Sequence, residues 1–175
     1  MRIISGKYKG KILKEIKIEG TRPTMDRIKE SMFAMIQESI PNSKCLDLFC
    51  GSGSLGIEAL SNGADICYFI DKNKKITDLL KENTKDIKGC IILNKDYKDA
   101  LKSFNEKFDI IFLDPPYDLF LINDSINKIK EYDLLNTNGI IVCEYTKEKL
   151  NDLYPIYKER KYGDKYIKIY RNEKM

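Results

Sequence analysis

Short apolar runs recur along the chain at Cys45–Phe49, Ile66–Ile70, Cys90–Leu93, Ile110–Leu113 and Ile140–Cys143. Each has the length of a buried strand and is too short for a helix. The stretches between them, Leu55–Ser61, Lys74–Lys85, Lys98–Phe104 and Leu119–Tyr132, are compatible with helices. Strands spaced by helices of this length predict an α/β fold with a parallel sheet covered on both faces. Two further runs, Ile156–Tyr162 and Lys165–Arg171, flank Gly163-Asp164 and predict a closing antiparallel hairpin. Before the first strand, Arg2 to Lys17 has the pattern of a β-hairpin, turning around Gly6 and Gly10. A helix follows, with Thr24 as N-cap and Asp26 placed for the helix dipole. Its apolar stripe is Ile28, Met32, Met35 and Ile36, and Pro41-Asn42 ends it. No repeat, low-complexity tract or long linker divides the chain. The expectation is one domain over 1–175, with 1–20 as a basic hairpin extension to a core at 21–175.

Composition narrows the chemistry. At 175 residues, 42% hydrophobic and 33% charged, the chain reads as a globular protein able to bury a core without metals or disulfides. Its longest apolar stretches, such as Phe108–Leu113, are far too short to span a bilayer. Met1–Gly10 is basic with no apolar segment after it, so no secretion signal is expected. Five cysteines make an odd count with no C-x-x-C pair, which predicts buried thiols in a reducing cytoplasm. There is no histidine. That excludes His-based zinc sites, Ser-His-Asp triads and imidazole bases, and no metal site is expected. Charge is uneven: residues 1–30 hold 9 Lys/Arg against 4 acids, and residues 158–175 hold 7 against 3. Two basic ends could form one phosphate-binding face if they meet in space, or could be two solvated termini.

Asp47-Leu48-Phe49-Cys50-Gly51-Ser52-Gly53-Ser54-Leu55-Gly56 places G-x-G-x-x-G directly between the first predicted strand and a helix. Such a turn lets a ligand approach the backbone closely. Asp71 ends the next strand, where an acid suits the hydroxyls of a ribose lying across the crevice. These features fit NAD as well as S-adenosyl-L-methionine. Asp47 favours the latter, because it can reach the cationic amino group of a methionine moiety and would repel a pyrophosphate. Asp96-Tyr97, after the third strand, is placed to hold and cover an adenine. The candidate cofactor residues are Asp47, Phe49, Gly51, Ser52, Gly53, Asp71, Lys72, Asp96, Tyr97 and Asp114.

Asp114-Pro115-Pro116-Tyr117 follows the fourth predicted strand, at the end of the sheet where parallel sheets bind ligands. An exocyclic amine on a base is a poor nucleophile, because its lone pair is delocalised into the ring. The Asp114 carboxylate and the Pro115 carbonyl can accept its N–H hydrogens and favour sp³ character as a bond forms. Pro115 and Pro116 fix the turn, and Tyr117 offers a face on which a base can stack. With an activated methyl supplied by a sulfonium, positioning and charge stabilisation suffice. The two motifs together predict methylation of an exocyclic amine of a nucleic-acid base.

With both motifs in place, the chain resembles the RsmD family, the 16S ribosomal RNA guanine-N2 methyltransferases. The resemblance runs almost end to end: Met1–Gly10, Thr21-Arg22-Pro23-Thr24-Met25-Asp26-Arg27, Leu46–Leu60, Phe108–Tyr117, Asn138–Glu144 and Lys161–Asp164. Cys50 stands where the family often has alanine. The resemblance implies a Rossmann-like class I methyltransferase with a mostly parallel seven-stranded sheet and helices on both faces. It further implies S-adenosyl-L-methionine as donor and, as acceptor, guanine 966 of 16S ribosomal RNA, within the small subunit or an assembly intermediate. It places RNA at Arg2, Lys7, Lys9, Lys11, Arg22, Thr24 and Arg27, and implies a cytoplasmic monomer without metal or membrane. The rival readings are an N6-adenine methyltransferase, an NAD-dependent oxidoreductase and a non-catalytic RNA-binding protein. The first usually adds a recognition domain, the second needs a substrate domain and a proton donor, and the third needs neither motif.

Overall fold

The computed structural model describes residues 1–15, 23–116 and 119–173, leaving aside the side chains of Pro23 and Thr24. After α1 (Pro23–Ile36) and a short 3₁₀ turn, strands and helices alternate: β1 (Lys44–Asp47), α2 (Ser54–Ser61), β2 (Ile66–Asp71), α3 (Lys74–Asn83), β3 (Cys90–Asn94), α4 (Tyr97–Ser103), β4 (Phe108–Leu113), α5 (Ile122–Glu131) and β5 (Leu135–Tyr145). The hairpin β6 (Ile156–Tyr162) and β7 (Lys165–Arg171) closes the chain. All seven strands form one sheet of order β3-β2-β1-β4-β5-β7-β6, parallel through β5. Strand β7 inserts antiparallel between β5 and β6. This is the Rossmann-like class I methyltransferase arrangement.

The period of two along the strands sorts the core into two layers. Cys45, Ile110, Phe112 and Val142 face one side, against Ile28, Met32, Phe33 and Ile36 of α1, Ile57 of α2 and Leu80 of α3. Leu46, Ile111, Leu113, Ile141 and Cys143 face the other, against Leu101 of α4 and Ile122, Ile126 and Ile129 of α5. Because β1 neighbours both β2 and β4, successive connections depart in opposite directions there. This switch point opens a crevice beyond the carboxyl ends of β1 and β4.

The N-terminal segment turns back on itself, with the Ile3 N–H donating to the Lys11 carbonyl (2.9 Å) and the Leu13 N–H to that of Met1 (2.8 Å). Among the described residues its strand pairing is the single bridge Arg2–Ile12; the expected continuation through Ile16-Lys17-Ile18 lies outside them. The segment is docked against the core, with Ile3 and Leu13 both buried. Thr24 lies inside α1 and does not precede it: Pro23 occupies the first helical position, where its missing N–H costs nothing. All five cysteines are free; Cys90 is half-buried and the other four are buried. Among the described residues no helix is long and apolar enough to cross a membrane.

Candidate active site

A cavity of about 700 Å³ occupies the switch-point crevice. Its walls come from the N-terminal segment, α1, the carboxyl ends of β1 and β2, the loop before α4, and the turn after β4. Of the expected cofactor residues, all but Gly53 line it: Asp47, Phe49, Gly51, Ser52, Asp71, Lys72, Asp96, Tyr97 and Asp114.

Local geometry explains each placement. Gly51 and Gly53 take positive φ (52° and 84°), so the chain reverses directly after β1 and points the turn's backbone into the cavity. Gly56, the third glycine, serves packing: a Cβ there would lie 2.3 Å from the Phe69 ring, so only glycine lets α2 sit against β2. Asp47 is buried at the end of β1, and its Oδ2 accepts the Gly56 N–H at 3.1 Å. Burial, with a lesser contribution from Asp71, pushes its carboxyl up to about 7, against the opposing pull of the Gly56 bond. Asp71 accepts from the Gly51 N–H (3.3 Å) and the Asn73 N–H (2.9 Å), tying the turn to β2. One oxygen of Asp96 caps α4 through the Lys98 N–H (3.1 Å). Tyr97 is a wall and not a flap: its ring is buried against Phe49, with centroids 5.2 Å apart, and its hydroxyl donates to Asp124.

The turn after β4 brings Asp114, Pro115 and Pro116 to the same cavity; Tyr117 lies outside the described residues. The register Leu113↔Cys143 carries Asp114 alongside Glu144 of β5, which sets the two carboxyls against each other. Burial first, then Glu144 and Asp47, hold the Asp114 carboxyl well above the usual carboxylate range, while Lys165 of β7 opposes them.

Two groups of residues were not anticipated. Glu144 is one. The other is an ion pair between Lys29 of α1 and Glu58 of α2, with a separation of 2.9 Å and side chains only 2% and 0% exposed. Lys29 lines the cavity and also donates to the Arg2 carbonyl (2.7 Å) and the Ser54 hydroxyl (2.8 Å). Glu58 accepts the N–H groups of Ile4 (2.9 Å) and Ser5 (3.1 Å). Together they bind the N-terminal segment to the cofactor turn. A signal existed: Glu58 is the one charged residue of α2, within an otherwise apolar face.

The expected RNA residues divide. Lys7, Lys9 and Arg27 are exposed. Arg2 is exposed but leans on Asp26 (3.5 Å), and Lys11 is drawn to Asp86 (3.2 Å). Arg22 and the Thr24 side chain are outside the described residues. Among the described residues no cluster of acids and thiols suits a metal.

These donors and acceptors suit S-adenosyl-L-methionine: Asp47 for an ammonium, Asp71 for ribose hydroxyls, Phe49 and Leu79 for an aromatic ring, and an acidic floor for a sulfonium. A family model described as conserved hypothetical protein 95 matches residues 1–171. YlbH of Bacillus subtilis is 39% identical, with 98% of each chain covered. Ribosomal RNA small subunit methyltransferase D of Haemophilus influenzae is 35% identical over 98% of this chain and 94% of its own. The solved structure of Escherichia coli yhhF is similar at a TM-score of 0.89 and 26% identity, with 99% of this chain and 98% of that chain covered. With the cofactor turn, the Asp-Pro-Pro-Tyr turn and the N-terminal segment in one continuous match, the chain belongs to the RsmD family of methyltransferases.

Proposed function

We propose that this protein transfers a methyl group from S-adenosyl-L-methionine to the exocyclic N2 amine of a guanine in 16S ribosomal RNA. The observation that carries the reading is the convergence of Asp114 and Pro115 on the cavity formed by the glycine turn. The H. influenzae relative is named for methylation of small-subunit ribosomal RNA, which supports the substrate class. The choice of guanine N2, and of the position named above, rests on the family resemblance.

S-adenosyl-L-methionine supplies a methyl activated by the sulfonium. The chain's own residues do the rest. Asp47 holds the ammonium of the methionine moiety, and Asp71 the ribose. The guanine enters unstacked, because its amine must reach a recessed site. Asp114 and the Pro115 carbonyl accept the amine hydrogens, so that the nitrogen lone pair turns from the ring toward the methyl. Tyr117 stacks on the base. Exposed Lys7, Lys9 and Arg27 meet phosphate on the rim. Methyl transfer to unmodified small subunits and to naked 16S RNA tests this reading: transfer to either is expected, and none to both would overturn it.

Asp47 gives a pH prediction for the cofactor alone. Its carboxyl is neutral below about 7 in the free protein, whereas the ligand's ammonium favours the ionised form. Binding below that pH must therefore expel a proton, and affinity should rise with pH until it levels above about 7, by up to about tenfold per unit. Titrating S-adenosylhomocysteine between about pH 5.5 and 7.5 checks this. Asp47→Asn should bind more weakly with a flat profile, and a flat profile in the wild type would remove the role.

A further inference from the structure

Asp114 cannot be understood as a lone carboxylate. Sheet register, not chain proximity, sets Glu144 beside it, and both side chains line the cavity. Two ionised carboxylates set side by side in a buried cavity repel each other, which favours keeping one proton between them. Other charged groups act on the pair, and Glu148, beside Glu144, is engaged by the Ile122 and Asn123 N–H groups. Asp47 on β1 adds negative charge, Lys165 on β7 adds positive charge, and Lys29 on α1 is neutralised by Glu58. A protonated pair fits the free protein but is ill suited to catalysis, where Asp114 must accept a hydrogen from the amine.

We propose that Asp114 and Glu144 form a one-proton carboxyl pair, with Glu144 as the positioning residue, which expels its proton when a sulfonium enters the cavity and regains one when the methyl has been transferred. The inference rests on the cofactor and amine reading above. Charge gives the reason: a fixed positive charge in a cavity floored by acids favours the doubly ionised pair. Asp114 is then bare and can accept the amine N–H. As the nitrogen lone pair forms the new N–C bond, the C–S bonding pair stays on sulfur, and one amine proton passes to Asp114. The sulfur is then neutral and the pair singly protonated, so the charge within the cavity is the same before and after transfer. Glu144 holds Asp114 in place throughout and keeps the proton within reach.

The two forms of the cofactor provide the test, because they differ in the charge on sulfur and share the ammonium that Asp47 senses. Calorimetric titration of each into the full-length protein near pH 7, in buffers of different ionisation enthalpy, counts the protons released. S-adenosyl-L-methionine is expected to release about one proton more than S-adenosylhomocysteine, since Asp47 contributes equally to both. In Glu144→Gln the neighbouring charge is gone and the amide can donate to Asp114, so its proton is held less firmly and the difference should shrink. The wild-type comparison is decisive even where that variant folds poorly. Equal release by the two ligands overturns the proton-sharing pair and leaves the methyltransferase reading intact; failure of both to bind overturns the cofactor reading itself.

Discussion

Asp114→Asn is expected to lower methyl transfer by about a hundred- to a thousand-fold, with S-adenosylhomocysteine affinity changed by no more than about threefold. The substitution keeps the shape of the side chain and one carbonyl acceptor but removes the charge and the proton acceptor. Its amide can still donate to Glu144, so the sheet register and the turn after β4 should survive. Asp114→Ala removes the acceptor altogether and should cost more. Loss of transfer together with loss of cofactor binding would mean that Asp114 shapes the cavity and does not act on the amine. Retained transfer in the Asn variant would show that neutral carbonyl acceptors suffice to orient the amine and that Asp114 takes no proton from it.

Lys29→Met should destabilise the protein by about 3–5 kcal/mol, because it leaves the Glu58 carboxylate buried without its counter-ion. In a chain of this size that lowers the melting temperature by about 10 °C. Burial disfavours the charged form of Lys29 and is the largest influence on it, only partly offset by Glu58, so each partner depends on the other. Glu58→Gln should cost a similar amount, and more of it locally, since Glu58 also holds the Ile4 and Ser5 N–H groups. The double variant should recover part of the loss, which a double-mutant cycle by urea unfolding measures. A cost below about 1 kcal/mol for both single variants would mean that water reaches the pair and screens it.

The elements that could be read from the sequence are those whose cause is local. The apolar run at Ile110–Leu113 and the turn at Gly163-Asp164 carry their own signals, and the strands and the hairpin form there. The helix expected from Leu119 begins only at Ile122, because its capping group comes from elsewhere: the Glu148 carboxylate accepts the Ile122 N–H at 3.1 Å and the Asn123 N–H at 2.8 Å. The strand expected at Ile140–Cys143 runs from Leu135 to Tyr145 through the polar Asn136-Thr137-Asn138. There Asn172 secures the backbone, donating from Nδ2 to the Leu135 carbonyl.

The site follows the same division. The glycine turn and Asp114-Pro115-Pro116 are contiguous in the chain and recognisable as such. Glu144 reaches Asp114 only through the β4–β5 register, and Lys29 reaches Glu58 only through the packing of α1 on α2. A capping or pairing partner from a distant segment leaves no local pattern. The identity of the accepted base is a further step removed, since no single described side chain distinguishes guanine from adenine.

Identifying the methylated nucleoside decides which base this protein accepts. Unmodified small ribosomal subunits are incubated with the protein and S-adenosyl-L-methionine, and the RNA is digested and its nucleosides resolved by mass spectrometry. N2-methylguanosine at one site is the predicted result. N6-methyladenosine, or methylated cytosine, would keep the amine chemistry of Asp114 and contradict the assignment of guanine.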